Sequence, residues 1–94
     1  MFVVLLKFSS NKNQASQFME GHNKWITRGF DDGVFLLAGS LKPSLGGGIV
    51  AHNTSLSELQ NRVNTDPFVV ENVVKAEILE ITPSKADARL DFLL

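Results

Sequence analysis

Ninety-four residues, 44% hydrophobic and 20% charged with a formal net charge of −1, suffice for one small domain with a thin core. With no cysteine, the chain has no disulfide framework, thiol nucleophile or thiolate metal site. Basic and acidic residues are mixed along its length, so no basic stripe is laid out for nucleic acid.

Residues 2–8 are rich in branched and aromatic side chains, stop at Ser9, Ser10 and Asn11, and read as a strand apolar on both faces. This run is too short to span a membrane and lacks the basic flank and cleavage site of a signal peptide, so a cytoplasmic protein with no membrane partner is expected. Next, Ala15, Phe18, Met19, His22, Trp25 and Ile26 recur at helical spacing and predict an amphipathic helix. Asn11 is its expected N-cap, with Gln14 as capping-box partner, and Gly33 its left-handed end. Residues 34–39 form a continuous apolar run between turn signals and predict a central strand buried on both faces. After a turn over residues 41–46, residues 49–52 give a third strand, reached through Gly46, Gly47 and Gly48. Ser55 with Glu58 is a capping box, opening a helix with Leu56, Leu59 and Val63 on one face. Asp66 and Pro67 predict a further short helical turn through Phe68, with Asp66 capping and Pro67 in first position. Residues 73–81 form the last strand, stopped by Thr82 and Pro83.

The order βαββαβ predicts an α+β, ferredoxin-like sandwich: a four-stranded antiparallel sheet with two helices on one face. Residues 1–83 make that domain, and residues 84–94 a C-terminal tail without a firm pattern. Two helices cover one face only, yet the first two strands are apolar on both, and soluble monomers rarely expose so large a patch. A homodimer packed sheet to sheet is therefore expected, burying Phe2, Val4, Leu6, Leu36 and Ala38, or their alternates, between subunits. Leu90, Phe92, Leu93 and Leu94 of the tail would add cover at that interface.

His22 falls within the first helix's apolar stripe, where a polar ring is costly unless hydrogen-bonded. It is either a satisfied core histidine or a general acid or base. Asp66 is the best orienting partner, or else a plain N-cap. Ser40 either meets a ligand or opens a turn, and Gly48 allows close backbone approach. The glycine triplet is not a phosphate loop, since no Gly-Lys-Ser/Thr follows and no helix begins there. His52 has no ligand spacing to His22, so no metal is expected, and Trp25 reads as core.

Taken together, His22, the eleven-residue interval to Gly33, the run over residues 34–39, and Asp66, Pro67 and Phe68 before a final strand resemble the YCII-related (YciI-like) family. The resemblance spans nearly all of residues 1–83. It implies a dimeric α+β barrel, in which two ferredoxin-like sheets face each other across a dimer axis. It also implies a pocket centred on a histidine and an aspartate, here His22 and Asp66, and one relative of this kind removes chloride from an aromatic ring. Ser40, Gly48 and Phe68 complete the candidate ligand-binding set. Two departures stand out: Ser40 replaces a proline common in relatives, and the residues after Pro83 exceed the usual ending. Two functions fit. One is a cofactor-independent enzyme of lyase or isomerase type, moving a proton on a small organic acid, cyclic ones included, with His22 as base or acid and Asp66 as orienter. The alternative is a non-catalytic dimeric module that binds a small ligand in the same pocket.

Overall fold

Alternation along the first strand, β1 (Phe2–Phe8), sends Phe2, Val4 and Leu6 to one side, where all three are buried, and Val3 and Leu5 to the other. The computed structural model describes residues 1–94 and sets this strand inside a four-stranded antiparallel sheet. The other strands are β2 (Phe35–Leu41), β3 (Gly46–Ala51) and β4 (Val74–Glu80), in the order β2-β3-β1-β4. Helices α1 (Ala15–Asp31) and α2 (Leu56–Val63) and the single turn α3 (Pro67–Val70) complete the chain order. Trp25, Leu59, Val63 and Phe68 from the helices join Phe2, Val4, Leu6, Ile49 and Ala51 from the sheet in one buried cluster. The architecture is the α+β, ferredoxin-like βαββαβ sandwich that the sequence predicts, and no helix is long and apolar enough to cross a membrane.

The capping signals act as read. Ser55 accepts the Glu58 N–H while the Glu58 carboxylate accepts the Ser55 N–H, and Gly33 has a φ of 74° past the end of α1. Asn11 departs from expectation. Residues Lys12–Gln14 first form a 3-10 turn, so α1 starts after Gln14 without a side-chain cap. The Asn11 amide instead donates to the Glu71 carbonyl at 2.9 Å, tying the link before α1 to the one before β4.

Two strand assignments also change. β2 is an edge strand rather than the centre, with a bulge between Phe35 and Leu37, and Leu37 is 61% exposed. A continuous apolar run does not distinguish a strand buried on both faces from an edge whose outer side is apolar. Gly46, Gly47 and Gly48 lie within β3 rather than before it. Gly46 has a φ of 130°, and a Cβ there would overlap the Leu6 carbonyl, so no other residue fits without displacing β1.

Register assigns the two faces. Phe2, Val4, Leu6 and Ala38 lie on the helix side, so the alternates form the outer face: Val3, Leu5, Leu37, Leu41 and Val50 surround the bare backbone of Gly39 and Gly48. The tail makes a kinked 3-10 segment over Ala88–Leu93, where the Phe92 ring meets His52 edge-on at 5.6 Å.

Candidate functional site

α3 is short, but its start is well determined. Asp66 is its N-cap, its Oδ1 accepting the Phe68 N–H at 3.0 Å, and Pro67 supplies the fixed φ of a first helical residue. This turn lies directly against α1 because position 21 is glycine: a Cβ there would stand 3.1 Å from Pro67 Cγ. One residue further along α1, His22 meets the cap. Its Nδ1 lies 2.8 Å from the same Oδ1 of Asp66.

Asp66 is wholly buried, whereas the His22 side chain keeps 12% of its surface exposed. Asp66 Oδ2 is buried without a hydrogen-bond partner, so the carboxyl meets its neighbours through Oδ1 alone. Oδ1 accepts twice, from the Phe68 N–H and from the His22 Nδ1–H. In the neutral ring that leaves the lone pair on Nε2, an atom with no protein partner that is not buried. The Phe68 ring lies flat on the imidazole, with centroids 3.9 Å apart and planes at 3°, and fixes its plane. Trp25 stands 6.1 Å from the imidazole, and its indole N–H donates to the Arg62 carbonyl at 3.0 Å, fastening α1 to the end of α2.

His22 and Phe68 border a cavity of about 480 Å³ between α1 and the sheet. The space exists because the helix-facing positions of β2 and β3 are small there: Ala38, Ser40 and Gly47 leave a gap that larger residues would fill. A Cβ on Gly47 would meet only the Gly39 carbonyl, at 3.4 Å. A broader depression, about 760 Å³, follows the solvent side of α1 but has a single apolar residue, Met19, in its lining.

The expected site residues come together unequally. His22, Asp66 and Phe68 form one hydrogen-bonded and stacked unit, and Ser40 lines the cavity from β2. Gly48 lines it with backbone only. Its missing Cβ belongs to the opposite face, 3.2 Å from Leu41 Cδ2, so its bareness serves close packing there. His52 lies apart, against the tail. The sequence reading missed Asn23, beside His22 on α1, and Gly47. Read from the sequence, Gly47 stood ahead of the third strand and so had no register to show, and Asn23 had no signal either.

No protein-family model matches the chain, and no curated protein matches it in sequence. Among solved structures it is similar to 5-chloro-2-hydroxyhydroquinone dehydrochlorinase (TftG) from Burkholderia phenoliruptrix AC1100, determined in complex with 2,5-dihydroxybenzoquinone. The TM-score is 0.69 at 12% sequence identity, covering 86% of this chain and 93% of that one. At that identity the likeness shows a shared fold, the α+β sandwich.

Proposed function

We propose that this chain is a YciI-like acid–base enzyme in which His22 moves a proton on a small molecule held between α1 and the sheet. The observation that carries this reading is the 2.8 Å bond from His22 Nδ1 to a fully buried carboxylate, leaving Nε2 unpartnered beside a cavity. Nε2 takes a proton from the substrate. The resulting imidazolium is stabilised by Asp66 across that bond and by the face of Phe68, against which a cation is attracted by the ring quadrupole. The proton then returns to a different substrate atom in an isomerisation. In a lyase reaction the abstracted proton's electron pair expels a leaving anion, and the imidazolium gives its proton to solvent. The structural neighbour's name, a dehydrochlorinase, supports the lyase form. The sheet-to-sheet homodimer belongs to the same reading and is supported by the apolar outer face.

The test is His22→Asn on a substrate with confirmed turnover. The expected outcome is a ~10²–10⁴-fold loss of turnover with much less change in ligand affinity. Asp66→Asn, which removes the charge but keeps the shape, should give a similar or smaller defect. Undiminished activity in His22→Asn would overturn the reading, and a chain that binds without turnover would be the non-catalytic module.

A further inference from the structure

Charge is what the cavity lacks. Sixteen residues line it, and none is Lys, Arg, Asp or Glu; the polar side chains are His22, Asn23 and Ser40. The one ionisable group behind them is Asp66, bonded to His22. With a neutral imidazole the pair carries one negative charge, and with an imidazolium it carries none, so the site never becomes net positive. A carboxylate or phosphate would have to leave water beside a buried aspartate, with no Lys or Arg in the lining to meet it and with any charge on the imidazole already balanced by Asp66. The cations of neighbouring elements do not line the cavity. Arg62 is paired with Asp32 at 2.9 Å, and the exposed Lys12 ammonium lies 4.8 Å from the centroid of Phe8, a ring that walls the cavity, without itself lining it.

A neutral hydroxyl has the opposite fit. Its proton can be donated to Nε2, and a second ligand oxygen can be met by the Asn23 amide or the Ser40 hydroxyl, each able to donate or accept. Leu6, Phe8, Ile26 and Phe68 supply apolar walls for a ring. We infer that this cavity selects hydroxylated ring compounds that arrive uncharged and discriminates against the same rings bearing a carboxylate, in place of the organic acid expected from the sequence. The inference rests on reading the His22 cavity as the substrate site.

The probes are hydroquinone and 2,5-dihydroxybenzoate, the same ring without and with a carboxylate, titrated into the full-length protein with nitrogen-15-labelled histidine. The signal followed is His22 Nε2. Hydroquinone should shift it with at least ~10-fold higher affinity than the carboxylate, a factor worth about 1.4 kcal/mol, and Gly47→Val, which fills the cavity, should abolish the shift. Should that variant fail to fold, Ala38→Leu obstructs the same space from β2. Equal or tighter binding of 2,5-dihydroxybenzoate at His22 would overturn the charge selection while leaving the cavity as a ligand site. If neither ring moved the His22 signal at millimolar concentration, the inference and the site reading beneath it would both fall.

Discussion

Asp66 Oδ1 is a single atom with two duties: it caps α3 through the Phe68 N–H and holds His22 Nδ1. Removing it should therefore cost more than an ordinary cap. Asp66→Ala leaves both the Phe68 N–H and the His22 Nδ1–H without their acceptor and is expected to destabilise the fold by about 1–3 kcal/mol in chemical denaturation. Because one oxygen serves both groups, Asp66→Ala and His22→Ala should be non-additive, with a coupling of at least ~0.5 kcal/mol in a double-mutant cycle. Strict additivity would show that the 2.8 Å contact carries no stability. Seen from the sequence, cap and histidine partner were competing readings of Asp66; in the structure one oxygen both caps α3 and meets His22 Nδ1. His22 was legible as a polar ring on an apolar stripe. Its stacking on Phe68 was not, because the contact exists only once the chain has passed through two more strands and a helix and come back to α1.

At the scale of elements, local signals were the more readable ones. The Ser55 and Glu58 box, the Gly33 end and the Asp66-Pro67 start each depend on a few neighbouring residues and formed as written. Strand placement depends on distant partners, which is why β2 proved to be an edge and the glycine triplet a strand. The capping box also carries a pH signature. The Glu58 carboxyl is held below its usual range, first by the Ser55 backbone N–H and then by the Ser55 side chain. A carboxyl lowered in the folded state stabilises at pH above the ordinary glutamate range and loses that contribution as pH falls through the folded value. Glu58→Gln should thus lower stability at neutral pH and flatten the acid limb of a urea-unfolding series between about pH 7 and about pH 3. A limb as steep as that of the parent would show that the box has no electrostatic share.

For the molecule as a whole, the outer sheet face is the feature on which the proposed dimer rests. Leu37 is 61% exposed and Leu79 47%, beside Val3, Leu5 and Val50 on the same side of the sheet. Sedimentation at micromolar concentration should give a dimer, and Leu5→Glu or Leu37→Glu should dissociate or unfold it. A folded monomer in the parent chain would refute the sheet-to-sheet pairing. The topology has a further result for how the chain is made. β1 precedes every other element, yet it pairs with β3 on one edge and with β4, the last strand, on the other. During synthesis at roughly 5–20 residues per second, this apolar strand waits several seconds with the polar groups of its β4 edge unpaired before β4 emerges. The nascent chain is thus most prone to misassociate early, and a circular permutant that places β4 ahead of β1 would let that edge pair as soon as β1 emerges.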